Sequence, residues 1–132
     1  MAGTLVANTI NTDTGLFSTN NAYLGIAKAW ITFNGTAGTV TNAFNVGSIT
    51  KNSTGNYTLN FTTAMPNANY AVTFGVCSGA YAYNASFVGY VISATQYGAP
   101  TNKTTSVCQV GFGDYTSTPR DFAELYVTVL GN

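Results

Sequence analysis

Charge is scarce in this chain. Only 6% of its 132 residues are charged, four cationic and four anionic, and there is no histidine. Ordinary soluble domains carry about 25% charged residues. Each shortage excludes something. The cations are Lys28, Lys51, Lys103 and Arg120, too few and too scattered to neutralise a row of phosphates, so no nucleic-acid partner is expected. They form no basic face of the kind that holds a helix on a membrane surface. Without histidine a Ser–His–Asp arrangement is impossible. Two cysteines and no histidine also make a poor metal-ligand set. The glycines spell neither a G-x-G-x-x-G turn entering a helix nor a phosphate-binding loop, so no cofactor is expected. No apolar run approaches the roughly 20 residues of a spanning helix, which argues against membrane insertion. The opening "MAGTLVANTI" lacks a basic region followed by an apolar block, so it does not read as a secretory leader.

What remains is apolar or uncharged-polar. Apolar residues make up 45% and aromatics 14%, too many for a disordered chain. The length suits one domain with one core. The rest is Asn, Thr, Ser and Gly, and a net charge of zero favours association between copies. The many Asn-x-Ser/Thr triplets follow from this composition and carry no glycosylation reading.

The main pattern has a period of two. In "NYTLNFT" Tyr57, Leu59 and Phe61 share one face. In "NYAVTFGVC" Tyr70, Val72, Phe74 and Val76 do, and in "FAELYVTVL" Leu125, Val127 and Val129 do. "SFVGYVIS" and "TTSVCQVGF" follow less cleanly. Gly, Pro and Asn clusters punctuate these runs. Strands are expected over 27–33, 42–50, 56–62, 69–77, 86–95, 104–112 and 121–130, with an extended piece at 4–10. The fold class is all-β: an antiparallel, jelly-roll-like β-sandwich of seven to eight strands with an extended N-terminal arm. The arm and connector span 1–24 and the sandwich spans 25–132. "SITKNSTGNYTL" is a hairpin with its turn at 52–55, and Gly55 supplies the positive φ. If every connection returns antiparallel, loops 51–55, 78–85 and 113–120 share one end. Loops 34–41, 63–68 and 96–103 then share the other.

Few residues offer chemistry. Asp121 and Glu124, three apart on an expected strand, fall on opposite faces. Asp114 and Asp121 flank loop 113–120 and are the one carboxylate pair that could face each other; no acid–base pair is expected from them, so the protein is not read as an enzyme. Cys77 and Cys108 stay open to two readings. A disulfide would contribute roughly 3–4 kcal/mol on the chain-entropy model, and otherwise both are small buried side chains. Trp30 and Lys28 share one face of their strand with Ile26 and Thr32, while Ala27, Ala29, Ile31 and Phe33 take the other. Both faces carry apolar groups, which makes Trp30 and Lys28 candidates for a subunit interface as well as for a doubly buried strand. "GAYAYNA" and "GDYTSTPR" place Tyr81, Tyr83, Asn84, Tyr115 and Arg120 in loops expected at the same end. Tyrosine presents a flat apolar ring and a hydroxyl at little entropic cost, so these five form the candidate binding surface.

One resemblance is specific. "GIAKAWITFNGTAGTV" and "AFNVGSITKNSTGNYTLNFTTAMPNANYAV" closely resemble a domain found near the C-termini of tail-fibre proteins of tailed bacteriophages, notably phages of marine bacteria and cyanobacteria. The pattern is met by Ala29, Trp30, Ile31, Phe33, Asn34 and Gly35, by residues 44–49, and by Gly55, Tyr57, Phe61, Ala64, Met65, Pro66, Asn69 and Tyr70. It covers 25–74 strongly and 75–132 more loosely, with "DFAELYVTVLGN" similar to the usual last strand. The resemblance implies a non-enzymatic, β-rich virion surface protein that forms a homotrimer, contacts other virion proteins and attaches to a host surface glycan or protein. Assembly in the host cytoplasm would keep Cys77 and Cys108 reduced. The chain begins at Met1 without a long shaft, so the alternative expectation is a capsid decoration, or cement, protein built from the same domain.

Overall fold

The computed structural model describes residues 9–12, 15–18, 25–77, 87–92 and 102–131. It is all-β among the described residues. In the N-terminal arm β1 (Thr9–Thr12) pairs antiparallel with β2 (Gly15–Ser18). The expected piece at 4–10 therefore meets the start of a short hairpin, and 4–8 lie outside the described residues.

Eight further strands make the sandwich: β3 (Ala27–Asn34), β4 (Thr39–Phe44), β5 (Val46–Ser53), β6 (Asn56–Phe61), β7 (Ala71–Cys77), β8 (Phe87–Val91), β9 (Val107–Asp114) and β10 (Glu124–Leu130). The first sheet has the order β4-β3-β10-β7 and the second β5-β6-β9-β8. Every pairing is antiparallel. The four central strands follow the alternation that their sequence predicts. Ala29, Ile31 and Phe33 of β3 and Leu125, Val127 and Val129 of β10 point inward, against Tyr57 and Leu59 of β6 and Cys108, Val110 and Phe112 of β9. Phe33, Tyr57 and Phe112 meet edge-on, with ring centroids 5.0–6.3 Å apart, and Phe74 of β7 joins them at 5.7 Å from Phe112. Such edge-to-face pairs add about 0.5–1.5 kcal/mol each beyond the area that they bury.

One expected strand is corrected. Residues 42–50 are not one strand but the end of β4 and most of β5, which belong to different sheets. The break is Asn45, whose φ is 55°, a left-handed conformation that asparagine tolerates better than most residues. Its side-chain amide donates to the Lys28 and Thr63 carbonyls at 3.1 Å, and its Oδ1 accepts from the Thr63 amide at 2.7 Å. The asparagine thus stitches the corner to both neighbouring segments.

That extra reversal also corrects the loop count. Loop 35–38 does not oppose the 53–55 turn but lies beside it. Lys51 Nζ reaches the Thr36 carbonyl at 2.9 Å, the Tyr57 hydroxyl donates to the Gly35 carbonyl at 2.9 Å, and the Gly35 amide donates to the Phe122 carbonyl at 3.0 Å. Loops 35–38, 53–55 and 115–123 therefore share one end. Cys77 and Phe87, which flank 78–86, lie at that end too, paired with Glu124 and Asp114. The Asn45 corner and the 62–70 segment lie at the other.

Candidate functional site

The loop end is held by two carboxylates, each with its own cation. Asp114 closes β9 and folds the next loop around itself. Its Oδ1 accepts from the Thr116 amide (3.0 Å), the Thr116 hydroxyl (2.6 Å) and the Thr118 amide (3.1 Å), and its Oδ2 takes Arg120 Nε at 2.9 Å. The Thr116 hydroxyl bond leads in holding its pKa down at about 2, and Arg120 and the two amides add to it. Ser117, at the tip, has a φ of 63°.

Asp121 lies in the loop before β10, not on the strand as expected, and reaches under the 53–55 turn. Oδ1 accepts from the Gly55 amide at 2.8 Å and the Tyr57 hydroxyl at 2.5 Å, and Oδ2 pairs with Lys51 at 2.7 Å. Burial works against the carboxylate, but the Gly55 amide, Lys51 and Tyr57 together more than offset it and hold its pKa below the ordinary range. Burial, with Asp121 beside it, pushes the Tyr57 phenol well up, so it stays a donor. Gly55 has a φ of 66°, and a side chain there would collide with the Phe112 carbonyl. The turn can dock this closely only with glycine.

The two carboxylates thus serve separate networks. Neither has the raised pKa of a general acid, and among the described residues no group of three or more His, Cys, Asp or Glu side chains is placed to hold a metal.

The expected binding surface is brought together only in part. Tyr81, Tyr83 and Asn84 lie outside the described residues. Tyr115 and Arg120 share one loop, and the Tyr115 residue is 65% exposed. Arg120, however, is turned to Asp114, which makes it a loop brace first. The cysteines are free and far apart in the architecture. Cys77 is exposed on the first sheet and Cys108 is buried in the second, so the reading of two buried thiols holds for Cys108 alone. Burial pushes the Cys108 thiol up to about 11, against the pull of Tyr70 and Lys103.

Trp30 and Lys28 stand on the outer face of the first sheet, on the opposite side of β3 from its three buried residues. Phe44 lies directly across from Trp30 on β4, with 53% of its surface exposed. Beside it an open depression of about 440 Å³ is lined by Phe44, Asn45, Thr62 and Thr63. Tyr126 shares the face from β10, lying over Gly75, and Ile26 is exposed just before β3. Phe44 and Tyr126 escape a reading of the sequence for different reasons. Phe44 was hidden by the unrecognised corner, and Tyr126 falls on the outward half of a strand whose inward half draws attention.

Comparison of the chain with protein-family models, with curated proteins and with solved structures finds no match.

Proposed function

We propose that the protein is a non-enzymatic surface component of a bacteriophage virion, a trimeric tail-fibre-type domain that attaches the particle to its host. The observation that carries this reading is the outer face of the first sheet. Exposed Phe44 and Tyr126, with half-buried Trp30 between them, put three aromatic side chains on one side of a chain that has little charge to keep copies apart. Neighbouring apolar groups of this kind mark interaction surfaces. Packing of this face between protomers would make the trimer. The two loop-end carboxylates, each held ionised by its own network, fit a scaffold better than a hydrolase.

The resemblance to tail-fibre domains supports the virion setting. Many of the residues that carry it build the framework: Phe33, Tyr57, Met65 and Tyr70 are buried, Asn45 turns the corner and Gly55 the hairpin. They speak for a shared scaffold more than for a shared ligand. A second reading, a decoration protein clamped on the capsid, is favoured by the β1–β2 hairpin, which gives the arm a formed element to lay on neighbouring subunits.

Labelled antibody on intact particles separates these readings. Label on tail fibres supports attachment, label on the head supports decoration, and no label on any particle removes the virion assignment. Light scattering of the pure protein tests the trimer, and a monodisperse monomer at micromolar concentration would argue against it.

A further inference from the structure

The outer face of the second sheet carries an aromatic ring beside fixed amides. Tyr90 on β8 lies across from Gly111 on β9, and Gly111 lies across from Asn56 on β6. A methyl group placed on Gly111 would collide with the far edge of the Tyr90 ring. The ring therefore lies down over the strand instead of standing off it, and the residue stays 39% exposed. Gly113, the next outward residue of β9, is covered by the backbone of Ser117 and Thr118, so the surface over β9 is the Tyr90 ring, closed at one end by that loop.

The strands on the far side of β9 from Tyr90 are polar. Asn56 Oδ1 accepts from Asn52 Nδ2 at 3.0 Å and from Gln109 Nε2 at 2.8 Å, and Asn52 Nδ2 also meets Thr58 Oγ1 at 2.9 Å. One row further on, Asn60 donates to Ser48 Oγ at 3.1 Å. The shared acceptor fixes three amides against one another. Among the described residues it leaves the Asn56 amide nitrogen and the Asn52 and Gln109 oxygens with no hydrogen-bond partner. None of the described residues that face outward on this sheet is charged.

We propose that this ring-and-amide patch binds a neutral polysaccharide. A sugar ring would stack its C–H face on Tyr90 while its hydroxyls meet Asn52, Asn56 and Gln109. The absence of charge on the face selects the ligand: a charged polymer would lose its hydration here and gain no counter-charge. An apolar partner would leave the three amides unpaired, which is costly once they are buried. A ligand that is neutral and rich in hydroxyls satisfies both conditions. Adjacent strands lie about 4.8 Å apart, so the ring over Gly111 and the amides beside it fall within the span of one or two sugar units. The inference concerns this face alone and stands whether or not the protein belongs to a virion.

Native electrophoresis through gels containing dextran, mannan or galactan, with alginate as the anionic control, tests it. The expected result is retardation by at least one neutral polymer and none by alginate. Tyr90→Ala, checked for folding by thermal melt, should weaken that binding about five- to tenfold. Tyr126→Ala, on the opposite face, should leave it unchanged. Should Tyr90→Ala not fold, Gly111→Ala, which displaces the ring while keeping it, should weaken binding in the same direction. Retardation by alginate alone, no retardation by any neutral polymer, or equal retardation of a folded Tyr90 or Gly111 variant would overturn the proposal.

Discussion

Across the middle of the first sheet the outward residues read Phe44, Trp30, Thr128, Thr73; across the second they read Thr50, Thr58, Gln109 and, just beyond β8, Ile92. Both rows belong to strands whose inward residues fill one common core. The core asks for apolar residues at every second position and leaves the positions between them free. On the second sheet the strands β5, β6 and β9 hold mostly hydroxyls and amides there, several of which bond to one another, while β8 holds Val88 and Tyr90. On the first sheet three of those positions, at Trp30, Phe44 and Tyr126, hold large aromatic groups, which the fold itself does not need. A single exposed aromatic, as Tyr90 is on the second sheet, is ordinary; Trp30, Phe44 and Tyr126 together on the first sheet are a grouping that the core cannot account for. The outer faces, not the interior, are where this protein's partners should be sought.

The largest expected effect falls on both faces alike. Phe112→Ala removes the ring that meets Phe33 and Phe74 across the sandwich and Tyr57 on the neighbouring strand, and should cost about 3–5 kcal/mol by chemical denaturation. Loss confined to one sheet's hydrogen-exchange protection would show that the sheets do not depend on a shared core.

Next comes the loop end that ties the sheets together. Asp121→Asn removes the Lys51 ion pair and weakens the acceptor of the Tyr57 and Gly55 bonds, and should cost about 1–3 kcal/mol. The pH dependence has a definite sign. Asp114 and Asp121 both have folded pKa values below their unfolded ones. Their contribution is therefore complete above the unfolded value of about 3.9 and is lost as pH falls through the folded values, toward about 2 for Asp114. Melting temperature should be flat above roughly pH 5 and fall below about pH 4. A melting temperature in Asp121→Asn that falls as steeply with acid as the parent's would assign the acid sensitivity elsewhere.

The faces themselves come third. Trp30→Ser with Phe44→Ser should abolish the proposed trimer, as read by light scattering, while changing the stability of the single sandwich by no more than about 0.5–1 kcal/mol, as expected for surface sites. Thr58→Ala on the other face should leave the oligomeric state alone. Dissociation by Thr58→Ala, or none by the double variant, would invert the comparison.

The smallest effects come from two glycines that lie under aromatic rings. At Gly111 an added methyl meets the far end of Tyr90, a flexible side chain that can swing away, and at Gly75 it meets the Tyr126 ring at 3.3 Å. Gly111→Ala and Gly75→Ala should each change stability by less than about 1 kcal/mol. Tyrosine fluorescence should shift most for Gly111→Ala, whose ring must move furthest. Equal shifts would mean that the two rings sit alike on their sheets.

Much of the fold could be read in the chain because the central strands obey one rule strictly. Tyr57, Leu59, Leu125, Val127 and Val129 alternate inward without exception, and the 53–55 turn is marked by its glycine. The edge strands were harder to read. β4 and β5 bury few of their residues, so hydrophobicity does not mark where one ends. Both also carry irregular pairing, β4 beside Thr32/Phe33 and β5 at Val46/Ser48 and Lys51/Ser53. Such bulges blunt a free sheet edge against pairing with other chains, and they also erase the period that a sequence reading relies on. β8 was blurred for another reason. Val88 and Tyr90 face out while Phe87 and Val91 face in, so both sides look apolar and Tyr90 does not stand out.

By itself the sequence determined the class of fold, the inward set of the central strands, the hairpin at Gly55 and the poverty of charge, because each is a local property of spacing or composition. Only the tertiary structure decided that the chain changes sheet at Asn45, since one residue's left-handed backbone is invisible in a run of apolar and polar letters. That reversal decided which loops share an end, and so placed Lys51 and Tyr57 against Asp121, 70 and 64 residues away in the chain. The same long-range pairings set Phe44 against Trp30 and laid Tyr90 over Gly111 beside Asn56. Which side chains share an outer face depends on strand order and register, and those are settled by contacts between distant segments.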